Sequence, residues 1–384
     1  MEVLFTYMLI AVVVGYCIES TKSNQLKKIF LFSIFLFAFL YSGLRGKTVG
    51  LDTALWNSIF DNIVQNGLAE LPRNTEVEKG YMILNYLLGA IGLPSQSVII
   101  LGSAVICFSF YNIIKKYSKN YALSSLIFIS TIFTVTMNVS RQYIALAFLL
   151  YAFDAIIQKK QKKAILLILL ATSMHYSAII FLPLVYFASL KTSINRKSFF
   201  LIGAISFSAI PLYMVIINLF VSVFDQYSRF ITSSKYSAEL EVSLQYVLLF
   251  IMVTFLGLMY ISPIRLKTRE GKMVIARNNM IKSIAVDKTE DLQSYLLFFL
   301  LFIEYIVVYF ISRNLLIAAR INYYFQSSLI IIIPNTIYYL KQKYQSRLVS
   351  ISITVAFVVY FVYFGYKYFI SDPHGILPYM FFWE

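Results

Sequence analysis

The chain of 384 residues contains two cysteines and two histidines, and only 13% of it is charged. Cys17 and Cys107 both fall inside apolar stretches, so neither a disulfide framework nor a cysteine metal cluster is suggested. His175 and His374 are too few for a typical histidine-built metal site, and no metal or other cofactor is expected. Also lacking are internal repeats, low-complexity tracts and any hydrophilic stretch long enough to bury its own core, so residues 1–384 read as a single integral domain. The first apolar run, Val3 to Ile18, has neither a basic leader nor a small-residue cleavage site, and reads as a span instead of a removable signal.

What the chain has in abundance is apolar residues, 59% of the total, in long runs that recur from Val3 to Ile370. A hydrocarbon core of about 30 Å takes roughly 20 such residues as a helix. Lipid leaves no partner for an unpaired backbone group, so only helix bundles and closed barrels cross it, and these runs are too continuous for barrel strands. The expected fold is an all-α polytopic membrane bundle of about twelve transmembrane helices. The spans are placed near 3–18, 28–44, 97–114, 121–138, 141–157, 164–174, 176–190, 198–218, 243–261, 294–312, 320–340 and 348–370, with a short apolar segment at 80–93.

Basic clusters alternate along these spans: Lys22, Lys27 and Lys28; Lys115, Lys116 and Lys119; Lys159, Lys160, Lys162 and Lys163; Lys191, Arg196 and Lys197; Arg265 through Lys288; Lys341, Lys343 and Arg347. The positive-inside rule makes these loops cytoplasmic and turns both termini outward. The net charge of +15 then reflects topology and anionic lipid, with membrane lipids as partners and no nucleic acid. The cytoplasmic loop at 264–293 mixes both signs without catalytic spacing and reads as solvated.

The outer ends of the spans carry the residues of interest, because an ionisable side chain beside hydrocarbon is costly enough to be a functional candidate. An outer loop over 45–96 holds Arg45, Gly46, Gly50, Asp52 and Glu78. Its arginine offers a planar fork that matches phosphate oxygens, and its carboxylates can orient that fork or take a proton from a sugar hydroxyl. The segment at 80–93, about 21 Å long as a helix, is too short to cross, and crossing would invert the basic loops; it reads as re-entrant or interfacial. Arg141 sits in a turn with no carboxylate near it in sequence, so its expected partner is an anion or a carboxylate from elsewhere, Asp52 or Glu78. His175 interrupts the apolar run from Ala164 to Leu190; a hairpin broken there keeps Lys191 inside and places an imidazole, a general-base candidate, at the outer apex. Arg313 and Arg320 flank a later outer turn. The plainer readings are snorkelling arginines and a histidine bonded to a neighbouring helix.

The ordered set Arg45…Gly50-Leu51-Asp52-Thr53, Glu78-Lys79-Gly80-Tyr81, Ser140-Arg141-Gln142, Met174-His175-Tyr176-Ser177 and Arg320…Tyr323 resembles the EpsG family of exopolysaccharide polymerases, relatives of the Wzy O-antigen polymerases. The resemblance spans roughly residues 40–340. It implies a GT-C-like glycosyltransferase of the bacterial inner membrane, its active site facing the periplasm or exterior. Such an enzyme joins polyprenyl-diphosphate-linked oligosaccharide repeats, and a chain-length regulator is a further candidate partner. On that reading Arg141 and Arg320, with Arg313 and Arg45, face the diphosphate, Arg45 assisting or pairing with Asp52. His175 is the first choice of base and Glu78 or Asp52 the second, while Tyr81, Gln142 and Tyr323 are sugar-contact candidates. Two other classes stay open: a flippase of lipid-linked sugar, which would want polar groups at the midplane and paired halves, and a membrane O-acyltransferase acting on surface glycans.

Overall fold

The computed structural model describes residues 1–67, 77–189, 242–261, 265–267, 273–275, 288–313 and 316–384, with positions 215, 218, 219, 222 and 223. Most of the expected span at 198–218 and most of the 264–293 loop therefore lie outside the described residues. Among the described residues, seven helices are long and apolar enough to cross a membrane, and two shorter apolar helices, Tyr176–Val185 and Leu244–Tyr260, accompany them. The chain is a polytopic, all-α membrane bundle, with one small hairpin described below. It divides into two compact units, Met1–Lys191 with Val355–Glu384, and Thr192–Thr354.

The first unit contains α1 (Glu2–Glu19), α2 (Asn24–Gly43), α3 (Thr53–Asn66), α4 (Lys79–Ala90), α5 (Gln96–Tyr117), α6 (Tyr121–Asn138), α7 (Ser140–Ile157), α8 (Gln161–Met174), a 3-10 turn (Tyr176–Phe181), α9 (Leu182–Ser189) and the later part of α14 (Arg347–Ser371). Helix α6 starts where Asn120 Oδ1 accepts the Leu123 amide at 2.9 Å and is the most enclosed of the spans. Midway it widens into a π turn over Ile129–Phe133, where the Ser130 and Thr131 hydroxyls donate to the carbonyls of Leu126 and Ile127. Helix α14 packs directly on this turn and on α1 at Gly365, where a Cβ would stand 2.9 Å from Ser130 Cβ and 2.7 Å from Met8 Sδ.

Polar side chains lock the two ends of this unit differently. At one end Glu19 pairs with Lys27 at 3.0 Å and accepts the Tyr121 amide, while Asp154 takes bonds from Lys116, Tyr117 and Gln158. At the opposite end the residues after α14 fold back over the turn that links α2 to α3. Gly46 N donates to Met380 O, Gly50 N to Gly375 O and Phe382 N to Leu44 O, while the Tyr379 ring stacks on Tyr41 with centroids 4.1 Å apart. The outer loop contains helix α3, which buries Thr53, Asn57, Phe60 and Ile63 at helical spacing. Helix α4 has 12 residues, about 18 Å, too short to span hydrocarbon untilted.

The second unit contains α10 (Leu244–Ile261), a two-stranded antiparallel hairpin β1 (Arg265–Lys267) and β2 (Met273–Ile275), α11 (Lys288–Ser312), α12 (Leu316–Gln326) and α13 (Leu329–Tyr344). The hairpin falls in the segment expected to be loop. A second difference concerns 320–340, expected as one span: α12 ends at Gln326 and α13 begins at Leu329. The break falls at Ser327 and Ser328, buried hydroxyls that donate to the carbonyls of Tyr324 and Phe325 and so compete with the helix ladder. Lys343 closes the C-terminal end of α10 by donating to the carbonyls of Met259 and Tyr260.

Candidate active site

Helix α8 stops at Met174 because its last turn carries Thr172 and Ser173, whose hydroxyls bond back to Ile168 O and Leu170 O, and His175 then turns extended with φ −156° and ψ 115°. The 3-10 turn and α9 that follow pack back against α8, leaving His175 at the bend. Glu78 occupies the N-cap of α4 in extended backbone, yet its carboxylate does not cap the helix. It reaches two other elements instead. One oxygen accepts from His175 Nδ1 at 2.6 Å and the other from Arg141 Nη1.

This approach depends on Gly80. A Cβ there would lie 2.6 Å from Ser173 Cβ and 2.7 Å from the Ser173 carbonyl, so only glycine lets the first turn of α4 close on the last turn of α8. Arg141 is the second residue of α7, where the helix dipole disfavours a cation. Glu78 offsets that cost. So does the Trp56 ring, whose centroid is 3.6 Å from the guanidinium carbon, with Tyr81 at 5.7 Å.

Glu78 is 2% exposed and His175 7%. Burial raises the Glu78 carboxyl pKa, but His175 and Arg141 beside it together lower it further, so the group stays below its ordinary value. An ionised carboxylate only accepts, so the proton between the two side chains belongs to His175 Nδ1. When the ring is neutral, its lone pair is then on Nε2, to which no hydrogen bond is made among the described residues.

Arg45 presents the opposite situation. It is 3% exposed, and its guanidinium donates to Ser42 O, to Ser103 Oγ at 3.3 Å and to Ser140 Oγ at 3.1 Å, while Nε is buried without an acceptor. No carboxylate pairs with it among the described residues. Burial lowers its pKa to about 10, so it still carries its charge at neutral pH. Beside it lies a cavity of about 30 Å³ bounded by Thr53, Trp56, Asn57, Tyr81 and Ser103. That is room for one or two waters. Trp56 and Tyr81 thus face Arg141 and also line the cavity beside Arg45. With Arg141 matched to Glu78, the local charge is left at one unpaired cation.

The structure brings together Glu78, Arg141 and His175, with Tyr81 and Arg45 adjoining. Of the two expected partners for Arg141 it selects Glu78. It does not bring Arg45 to Asp52: Arg45 turns under the end of α2 among hydroxyls, whereas half-buried Asp52 precedes α3, its amide donating to Asn138 Oδ1 at 2.9 Å. Gln142 is buried in the first turn of α7. Arg313, Arg320 and Tyr323 belong to the second unit, Arg313 lying over the Tyr309 ring at 4.4 Å. Sequence reasoning missed four contributors: Trp56 as a cation platform, Ser103 and Ser140 as Arg45 partners, and the tail residue His374, which bonds Asn138.

A multi-helix membrane protein with a buried carboxylate shared by an imidazole and a guanidinium, beside a cation lacking a counterion, is equipped for acid–base chemistry on an anionic substrate. The chain matches the EpsG family over residues 28–381 and belongs to it. It is a Wzy-type polysaccharide polymerase, a glycosyltransferase acting on lipid-linked oligosaccharide repeats. Neither a search of curated proteins nor one of solved structures returned a match.

Proposed function

We propose that the polymerase transfers a growing glycan from its polyprenyl diphosphate to a hydroxyl of the incoming lipid-linked repeat, and that Glu78, His175, Arg141 and Arg45 carry the step. His175 Nε2 takes the proton of the acceptor hydroxyl, whose oxygen bonds to the anomeric carbon. The bond from that carbon to the diphosphate breaks, and its electron pair leaves on the diphosphate oxygen. Glu78 holds the Nδ1–H tautomer and stabilises the imidazolium as it forms. Arg45, with Arg141, stabilises the charge that develops on the leaving diphosphate. The observation that carries this reading is the double use of one buried carboxylate, by imidazole and guanidinium, next to an uncompensated arginine.

The space beside Arg45 takes a water or two, so seating a diphosphate requires the Trp56–Phe60 face of α3 to withdraw. Asp52, the alternative base, has no hydrogen bond or ion pair through its carboxylate among the described residues, which favours the Glu78–His175 pair. In the second unit, Arg313, Arg320 and Tyr323 remain candidates for diphosphate and sugar contact, as Tyr81 and Gln142 do in the first. The basic loops orient the site toward the exterior of the inner membrane, and about twelve spans with GT-C-like architecture fit the apolar runs of the whole chain. Both carriers and any chain-length regulator would be met on that face.

Purified protein given one defined lipid-linked repeat should produce a ladder of products. His175→Ala and Arg141→Ala should each abolish the ladder at normal membrane insertion; unchanged length and yield in both would end this assignment. Arg45→Met should behave differently from a structural variant. Removing a buried charge that has no counterion should leave the thermal midpoint unchanged or higher. Loss of a charge-assisted contact to the departing diphosphate should lower kcat/KM for the donor by roughly 10- to 100-fold. A lowered midpoint with unaltered kcat/KM would make Arg45 architectural.

A further inference from the structure

The tail beyond α14 does more than cover the loop it touches. Its His374 is 6% exposed and stands between two partners: Asn138 Nδ2 lies 3.2 Å from Nδ1, and the Tyr368 hydroxyl 2.7 Å from Nε2. Asn138 closes α6, two residues before Ser140 and three before Arg141. The other atom of its carboxamide, Oδ1, accepts the amide of Asp52 at 2.9 Å. These contacts fix the protons on Asn138 and His374. An amide N–H of Asp52 can only donate, so the facing atom of Asn138 is oxygen and the atom facing His374 is the NH₂ group. His374 Nδ1 must then accept, and its proton sits on Nε2, directed at the Tyr368 oxygen. Burial keeps the ring neutral, its pKa lowered to about 4 with Asp372 only partly opposing.

The relay runs Asp52 N–H to Asn138 to His374 to Tyr368 and joins three separate stretches of chain. One carries Arg45 and Asp52, the second carries Ser140 and Arg141, and the third is the end of α14 with the tail that follows it. Leu51 N also donates to His374 O at 3.1 Å, so the tail residue holds the loop through its backbone as well. Arg45 in turn donates to Ser140 Oγ across the same junction. We propose that His374 is a positioning residue of the polymerase: its Nδ1 lone pair sets the orientation of the Asn138 carboxamide and thereby fixes the Arg45 loop against the turn that bears Arg141. The proposal rests on the catalytic reading above for its effect on rate, but not for its effect on the loop.

Two carboxamide substitutions separate this role from simple packing. His374→Asn keeps an acceptor near the Nδ1 position, facing Asn138. His374→Gln keeps a polar group near the Nε2 position, facing Tyr368, and leaves Asn138 without its partner. Rates are taken per inserted protein with a defined polyprenyl-diphosphate-linked repeat, alongside hydrogen exchange of the peptide covering residues 45–52. The expected result is kcat within about threefold of wild type for His374→Asn and at least about tenfold lower for His374→Gln, with KM moved less than about threefold in both. Exchange of the loop amides should quicken about tenfold in His374→Gln alone.

Equal behaviour of the two variants in both measurements overturns the proposal. If exchange separates the variants while rate does not, the positioning stands and the catalytic reading of Arg45 and Arg141 fails. Should neither variant reach the membrane, Asn138→Asp against Asn138→Leu makes the same distinction. The aspartate keeps the Asp52 bond and is met by a proton shifted to Nδ1, so it should retain activity. The leucine should lose it, and equal rates would contradict the role.

Discussion

Glu78→Gln should cut the polymerisation rate per inserted protein by roughly 10²- to 10⁴-fold, the range that a positioned acid–base group commonly supplies. The carboxylate accepts from His175 Nδ1 and from Arg141 Nη1 at once. A carboxamide has one acceptor atom and one donor. If its oxygen turns to Arg141, its NH₂ faces His175, the imidazole proton must shift to Nε2, and the lone pair that takes the hydroxyl proton is turned away. If its oxygen turns to His175, the NH₂ opposes the guanidinium and Arg141 loses its hydrogen bond as well. Both arrangements disable the site, and because the carboxamide is neutral both leave a largely buried cation without its counterion, at a cost of about 3–5 kcal/mol. A rate within about twofold of wild type, at equal insertion, would remove this cluster from the chemistry.

Gly80→Ala should reduce kcat by about 100-fold without touching any ionisable group, because a misplacement of about 1 Å is enough to cost that much. The new methyl would overlap Ser173 Cβ and the Ser173 carbonyl, so the first turn of α4 must withdraw from α8 and carry Glu78 away from His175. Adding Ser173→Gly removes the side-chain half of the clash and leaves the carbonyl at 2.7 Å. The double variant should therefore recover part of the lost rate, and KM should change little in either. Full activity of Gly80→Ala would show that the contact between these helices yields without disturbing the carboxylate.

Apolar runs made most of the bundle legible, since lipid permits few ways to bury a backbone. The outer loop was less legible. Helix α3 has Trp56, Phe60 and Ile63 at helical spacing, but a short amphipathic helix flanked by glycine and polar residues carries no length signal. The span expected at 320–340 broke at Ser327 and Ser328, whose competition with the ladder is a local hydrogen-bond effect that hydropathy averages away. In the site, charge near hydrocarbon singled out Glu78, Arg141 and His175, which the structure brings into contact, and left open which carboxylate meets Arg141. That choice depends on the close approach at Gly80, a contact between positions far apart in sequence. For Arg45 two roles were expected, assisting at the diphosphate or pairing with Asp52, a neighbour in the same loop. The tail bonds of Gly46 and Gly50 hold that loop so that the two side chains part. His374, one histidine after the last span, carried no signal at all.

The central claim is that Glu78 and His175 act as one unit, and a double-mutant cycle on the full-length polymerase measures it directly. Rates with a defined lipid-linked repeat are taken for wild type, Glu78→Gln, His175→Ala and the combined variant. Residues that act together are non-additive, so the combined variant should be no slower than the worse single one, within about threefold. Losses that multiply across the cycle would show two independent groups and contradict the account.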